Sequence, residues 1–448
     1  MPSRLLSAAL GLALVAGCAS SAVPAQVPAR PPAAAVLLPA DGDGALPTTA
    51  GLSAAVGPAL AQPAVGRRIG VAVADAATGR LLHSVDPDRG RIPASTAKLL
   101  TGAAALTTLD PAGQMTTRVV SGPQPRSIVL VGGGDPTLTR DTAKSAIAGY
   151  PQPARLADLA SATAAALRRA GTTSVRLRVD DSLFAGVAVS SDWKPTYVPA
   201  GVVGPVAALS TDGGRLVPGG RTRVPDPAVF TGESLADLLA ADGVRVTGRV
   251  RRITGAAADA PQLASVSSPP VAALVERMLV ASDNDVAEAL ARHVAIASGE
   301  PATFAGGATA VAAAIDRLGL ATGGLILRDG SGLARANRVT PRLLASLLSR
   351  AANPEELRLR RMLSALPVAG FNGTLAERYD APPATHGAGL VRAKTGTLSR
   401  VSALAGTVLD ADGRLLVFAL LADASPDVLT AERELDRAAT ALARCGCR

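Results

Sequence analysis

Pro93-Ala-Ser-Thr-Ala-Lys-Leu-Leu-Thr-Gly-Ala-Ala-Ala-Leu106 is the stretch from which the rest of the chain is read. Leu99, Ala103 and Leu106 recur at helical spacing, and Pro93 suits a first turn because it has no N–H to leave unpaired. Ser95 and Lys98 then stand one turn apart where a core helix begins, with the serine beside free N–H groups and the positive end of the helix dipole. A serine hydroxyl is a weak nucleophile at neutral pH, and an amine can take its proton only if burial or a nearby cation lowers the amine's pKa. Arginine cannot do this. The chain has 45 lysines and arginines, yet only Lys98, Lys144, Lys194 and Lys394 are lysine, so a lysine marks a place where a compact, titratable amine is needed. A second Ser-x-x-Lys, Ser191-Asp-Trp-Lys194, is followed by Pro195 and has no apolar stripe around it, and it reads as loop.

With 448 residues and 48% hydrophobic content, the chain can form two or three domains around a sizeable core. Aromatics are only 2%, so that core is built from Ala, Val and Leu, and stacking platforms for single-stranded nucleic acid are not expected. The net charge of +9 is scattered, with Arg358-Leu-Arg-Arg361 the densest cluster. An anionic cell-wall or membrane surface suits it better than nucleic acid. His83, His293 and His386 lie outside any metal-ligand spacing, and neither a metal nor a cofactor is expected.

Arg4, the apolar run 5–16 and the small residues after it read as an export signal too short to span a membrane comfortably. Leu14-Val-Ala-Gly-Cys18 resembles a bacterial lipobox, which implies lipidation at Cys18; cleavage near Ala22 to Ala25 and an uncleaved anchor are the alternatives. Residues 1–25 are thus assigned to the signal and 26–65 to a flexible Pro/Ala-rich linker. At the other end, Cys445 and Cys447 can pair with each other, pair with another molecule or stay free.

Residues 69–74 and 80–84 read as a hairpin around Asp75-Ala-Ala-Thr-Gly79, and 391–394, 401–409 and 415–421 as further strands followed by a helix over 426–442. Each set lacks partners alone, so 66–115 and 253–448 are expected to form one α/β (α+β) catalytic domain. Residues 116–252 are then an inserted α/β domain, with strands over 175–179 and 244–250 and helices over 154–170 and 231–241. Ser282-Asp-Asn284 falls in the turn between two helical patterns, and its residue types also cap helices. Lys394-Thr-Gly-Thr397 lies on a strand whose Gly396 marks a close backbone approach.

Ser95-x-x-Lys98, Ser282-Asp-Asn284 and Lys394-Thr-Gly396, in that order, together resemble the signature of penicillin-binding proteins and serine β-lactamases. Gly132-Gly-Gly-Asp-Pro136, Val179-Asp-Asp-Ser-Leu-Phe184, Asp329-Gly-Ser-Gly-Leu333, Leu366-Pro-Val-Ala-Gly370 and Gly373-Thr-Leu375 narrow this. Over residues 66–423 the chain resembles the low-molecular-mass class C penicillin-binding proteins, the D-alanyl-D-alanine carboxypeptidase/endopeptidase family. The resemblance implies a serine β-lactamase/transpeptidase-like domain with an antiparallel sheet flanked by helices. It also implies acyl transfer on peptidoglycan stem peptides, β-lactam binding and an extracytoplasmic location. Carried over by position, Ser95 is the nucleophile, Lys98 its base, Ser282 a proton relay and Asn284 a ligand of the substrate amide, while Lys394 favours neutral Lys98. Thr395, Gly396 and Thr397 hold the substrate, with backbone N–H groups of Ser95 and Thr397 as an oxyanion hole in which each donor is worth about 3–4 kcal/mol. Asp135, Arg335 and Ser399 are implied to face the substrate side chain, where they suit meso-diaminopimelate.

Two departures stand out. Only a short Gly/Arg-rich stretch separates Ala208-Leu-Ser210 from Pro225-Asp-Pro227, where larger members carry a further small domain, and Ala334 replaces a usual serine. The alternative functions are a serine β-lactamase and a catalytically silent binding protein; no Glu-x-x-Leu-Asn pentapeptide of the class A β-lactamases exists between the second and third motifs, and no catalytic side chain is missing.

Overall fold

The structure, a computed structural model, describes residues 44–140, 151–256 and 259–447; the signal, Cys18 and the start of the assigned linker lie outside the described residues. In chain order come α1 (Thr49–Leu60), β1 (Ile69–Asp75), β2 (Leu81–Val85), α2 (Lys98–Thr108), β3 (Thr116–Ser121) and β4 (Ser127–Val131). Next are α3 (Leu156–Arg169), β5 (Ser174–Asp180), α4 (Pro227–Ala241), β6 (Arg245–Val246), β7 (Arg251–Arg252) and β8 (Gln262–Ser267). The chain continues through α5 (Val271–Val280), α6 (Asn284–Ala297), α7 (Phe304–Arg317), α8 (Pro341–Ala352) and α9 (Leu357–Ser364). It closes with β9 (Val391–Leu398), β10 (Val401–Leu409), β11 (Leu415–Ala422) and α10 (Val428–Ala443).

One antiparallel sheet has the order β2-β1-β11-β10-β9, with Val71 opposite Leu420 and Leu404 opposite both Leu420 and Thr395. The two ends of the chain therefore complete one another. Ala72, Ala74, Ala403, Ala405 and Ala419, together with Val417 and Leu421, face the layer containing α2 and α8, whereas Val71, Val73, Leu404, Phe418 and Leu420 face α10 and α1. The five alanines make the first face the smaller-residued of the two.

The second sheet has the order β6-β5-β4-β3-β8, with β7 also on β5, and α3 and α4 share its core through Leu156, Leu159, Leu235 and Leu239. Its strand β8 lies beyond the 252/253 boundary expected from the sequence. The chain crosses between the sheets at Met115 and Ser268, which are zipped together by Ser268 N–H to the Met115 carbonyl (2.8 Å) and Met115 N–H to Ser268 Oγ (2.9 Å). The weak alternation of 262–267, in which only Ala264 is fully buried, hid this strand. The strand expected over 244–250 shrinks to β6 and β7, because Gly248 turns out of the sheet at φ 74°.

The assigned linker is also corrected, since 49–60 form a helix. Thr48 caps it by accepting from Gly51 N–H, Thr49 donates to the Leu82 carbonyl, and Leu52 and Val56 are fully buried in the cluster shared with Leu435 and Leu442 of α10. Gly51 and Pro58 make this a poor isolated helix, so tertiary packing decides it. Cys445 and Cys447 pair with each other beside its start, where the Cys447 carbonyl accepts from Thr48 N–H. Among the described residues no helix is long and apolar enough to cross a membrane.

Removing residues 1–62 is accordingly expected to lower the Tm, where loss of a flexible spacer would leave it unchanged. Leu52→Ala alone should cost ~2–5 kcal/mol in denaturant unfolding, the range for emptying a fully buried leucine site.

Candidate active site

The helix that carries Lys98 is buried all round and not along one stripe: every residue from Lys98 to Leu106 is buried. Gly102 and Ala103 to Ala105 are small enough to be enclosed, and a Cβ on Gly102 would already meet Met278 and Val275 at 3.3 Å. Lys98 goes into the core with them. One turn of 3-10 helix, Ala94–Ala97, precedes α2 and leaves Ser95 half-exposed at its mouth.

Lys98 Nζ lies 2.9 Å from Ser95 Oγ, 2.6 Å from Asn284 Oδ1 and 2.8 Å from the Ser331 carbonyl. The Asn284 amide is oriented by its other end, since Nδ2 donates to the Val202 carbonyl at 2.9 Å and so turns Oδ1 toward the lysine. Burial lowers the Lys98 pKa to about 8, against the opposing pull of Asp329, Glu288, Asp283 and Asp285. A neutral amine has two N–H bonds and one lone pair. The two carbonyl oxygens can only accept, so they take both N–H bonds and leave the lone pair for the Ser95 hydroxyl.

Within Ser282-Asp-Asn284 the two meanings of the tripeptide divide between its residues. Asp283 caps α6 by accepting from Val286 N–H and pairs with Arg277, whereas Asn284 reaches the lysine. Ser282 sits at φ 55°, a left-handed conformation that costs a serine energy, and its hydroxyl bonds none of the described residues. Asp285 accepts from Gly204 N–H at 2.7 Å and pairs with Arg223 at 3.0 Å. The short Gly/Arg-rich stretch thus supplies Arg223, which braces the α6 start and the Val202 loop together.

On β9, Lys394 is fully buried and donates to the Thr395 carbonyl at 2.9 Å. Burial, and then the charges of Lys98 and Arg378, push its pKa well below the usual lysine value. Burial is the largest cause at each amine, and at Lys394 the charge of Lys98 comes next. Thr395 donates to Thr374 Oγ1 at 2.8 Å, and the exposed Thr397 donates to the Glu432 carboxylate. Gly396 is demanded by the protein itself, because a Cβ there would stand 2.7 Å from the Pro93 carbonyl. This approach holds β9 against the turn that carries Ser95.

The Asp329 to Leu333 loop closes the back of the site. Asp329 is 2% exposed and accepts from Trp193 Nε1, Gly332 N–H, Ala334 N–H and Asn337 Nδ2. Gly332, at φ 86°, has no room for a side chain, since a Cβ would overlap the Ala94 carbonyl. Ala334 contributes its N–H while its methyl packs in an apolar cluster with Trp193 and Leu333, surroundings that suit alanine better than serine. Glu288, Ser331, Val202, Trp193 and Glu432 were missed by sequence reasoning. Asp329-Gly-Ser-Gly pointed to the loop, but nothing in the sequence marks a backbone carbonyl as a partner of Lys98.

The expected side-chain pocket is only partly assembled. Arg335 donates to the Ser399 carbonyl at 2.7 Å. Asp135 joins neither: it is 4% exposed, and its Oδ1 accepts from Thr137 N–H (2.8 Å) and Thr137 Oγ1 (2.6 Å), with its pKa raised to about 6 by burial. Oδ1 is committed to the turn after Gly134, while the buried Oδ2 has no hydrogen-bond partner among the described residues. A cavity of 750 Å³ lined by Val187, Asp192, Phe304 and Ile326 contains none of the motif residues, so concavity alone does not point to this site.

Acylation of Ser95 by a β-lactam should climb as pH rises through about 8, where Lys98 sheds its proton. Labelling rates against pH measure this; Ser95→Ala should abolish labelling, and Lys98→Arg should nearly do so because a guanidinium does not deprotonate.

A profile of the D-Ala-D-Ala carboxypeptidase 3 (S13) family matches residues 52–220 and 218–442. A carboxypeptidase of Mycobacterium tuberculosis is 39% identical over 435 residues, spanning 95% of this chain and 90% of that protein. Carboxypeptidase DacB of Mycolicibacterium smegmatis is 38% identical over 442 residues, spanning 97% and 93%. The crystal structure of penicillin binding protein 4 (dacB) from Haemophilus influenzae is similar with a TM-score of 0.69 at 21% identity, over 87% of this chain and 98% of that one, a likeness of fold. Matched along nearly its whole described length, through the elements that bring Ser95, Asn284 and Lys394 together, the chain belongs to the D-Ala-D-Ala carboxypeptidase 3 (S13) family.

Proposed function

We propose that Ser95 attacks the carbonyl of the penultimate D-alanine of a peptidoglycan stem peptide, giving an acyl-enzyme that water then hydrolyses. The observation that carries this is the Lys98 amine 2.9 Å from Ser95 Oγ with both N–H bonds directed elsewhere. Lys98 takes the serine proton, and Ser282, whose hydroxyl has no other partner among the described residues, passes one to the leaving amine. Asn284 binds the acyl-side amide, and the N–H groups of Ser95 and Thr397 receive the developing oxyanion. Lys394, Thr395, Gly396 and Thr397 form the wall for the terminal carboxylate, in competition with Glu432 for the Thr397 hydroxyl. When the leaving amine belongs to a second stem peptide, the same chemistry cleaves a cross-link. Purified protein given a D-Ala-D-Ala pentapeptide and cross-linked muropeptides, with products identified, separates carboxypeptidase from endopeptidase activity. Release of neither D-alanine nor monomeric muropeptide would overturn the proposal.

The first sheet and its helices are proposed as the catalytic domain and residues 116–267 as the insert, whose support is the paired crossing at Met115 and Ser268. Export by the N-terminal run, with Cys18 as a lipid anchor at an anionic envelope surface, is part of the same reading and rests on the sequence.

Substrate side-chain selection is assigned to Arg335 beside Ser399, with Asp135 supporting the neighbouring turn. A carboxylate at the far end of meso-diaminopimelate gives the exposed guanidinium a partner that lysine lacks. On peptides differing only at that position, the diaminopimelate form should have the higher kcat/KM, and Arg335→Ala should erase the difference. Asp135→Asn should lower the Tm and leave the ratio unchanged.

A further inference from the structure

We propose that Glu288 is a positioning residue for acylation: it clamps the Gly330-Ser331 backbone so that the Ser331 carbonyl faces Lys98 and the amine's lone pair is left for Ser95. The inference rests on the acyl-enzyme reading above and extends it to a residue that touches neither the nucleophile nor the substrate.

Glu288 lies one helical turn after Asn284 on α6, with which it shares a face, and is 1% exposed. Its Oε1 accepts from Ser331 N–H at 2.8 Å, and its Oε2 accepts from Gly330 N–H at 3.3 Å. The opposite edge of the same backbone faces α2: the Gly330 carbonyl accepts from Thr101 Oγ1 at 2.6 Å and the Ser331 carbonyl from Lys98 Nζ at 2.8 Å. The dipeptide is therefore held between two helices, its N–H groups by one and its carbonyls by the other. Gly330 permits this closeness, since a Cβ there would meet the Ala287 carbonyl and Ala291 at 2.7 Å.

A carboxylate suits this place because it offers an acceptor to each N–H group. A glutamine has one acceptor oxygen and would turn an NH₂ group toward the other N–H. Keeping an acid here is expensive, as burial and the neighbouring Asp329 raise the Glu288 pKa to about 7. Arg292 opposes them, with Nη1 3.7 Å from Oε2 and its guanidinium 4.1 Å over the Phe304 ring, and so do the hydrogen bonds from Ser331 and Gly330. Asp329 satisfies other groups, namely Gly332 and Ala334 N–H, Asn337 and Trp193, and cannot replace Glu288 at the clamp.

The consequence for Lys98 is directional and electrostatic. With Ser331 released, one amine N–H loses its acceptor and competes with the lone pair for the Ser95 direction. The Glu288 charge also raises the Lys98 pKa, alongside Asp329, Asp283 and Asp285. Removing it therefore favours the neutral amine and moves the acid limb of acylation to lower pH.

The test is the acylation rate of full-length protein by a fluorescent β-lactam, measured from pH 5 to 10 with the non-covalent affinity and Tm recorded for each variant. Glu288→Gln is expected to keep the affinity, lower the limiting acylation rate about 10-fold or more, as for loss of a group that aligns a catalytic base, and shift the limb to lower pH. Glu288→Asp retains the charge with a shorter reach, so its limiting rate should fall while the limb stays in place. A Glu288→Gln protein that acylates at the wild-type rate with an unmoved limb would overturn the clamp. So would a loss explained entirely by weaker β-lactam affinity. Wild-type protein that never acquires label on Ser95 would instead refute the acyl-enzyme reading on which the clamp depends.

Discussion

Lys98 must be removed from water and still have every hydrogen-bonding valence satisfied, and the arrangement around it follows from that requirement. A buried ammonium costs several kcal/mol unless an anion is paired with it directly. Here the acids stand one layer away, behind backbone and amide groups, and burial brings the amine toward its neutral form. Its three partners come from the turn before α2, from α6 and from the Asp329 to Leu333 loop. Packing of all three is what holds the buried amine in place with its pKa lowered to about 8.

That packing depends on small residues. The sheet face that meets α2 and α8 carries five alanines, Gly102 lets α5 lie against α2, and Gly396 and Gly332 bring the wall strand and the rear loop against Pro93 and Ala94. At Gly396 and Gly332 a single methyl would collide with the backbone of Pro93 and Ala94. The low aromatic content of the chain fits this, since the core is built largely from Ala, Val and Leu.

The second sheet's region touches the site although it holds none of the three motifs. Its connecting segment supplies the Val202 carbonyl that sets the Asn284 amide, and Arg223 with Asp285 braces that contact. Trp193, in the Ser-x-x-Lys copy that reads as loop, supports the site from outside through Asp329.

Much of the first sheet and the order of the motifs was legible in the sequence, because period-two and helical repeats are local signals that burial imposes on each element. The serine-lysine pair was legible for the same reason, as one turn of helix brings residues three apart together. Other features had no local signature. The helix over 49–60 forms only because α10 is there to cover it, β8 pairs despite weak alternation, and Asp135 is turned inward by Thr137. Above all, the sequence named the amine but not the groups that surround it and lower its pKa. Backbone carbonyls carry no residue identity, and which of them meets Lys98 is decided only when distant elements pack, with a buried carboxylate at 288 fixing the direction.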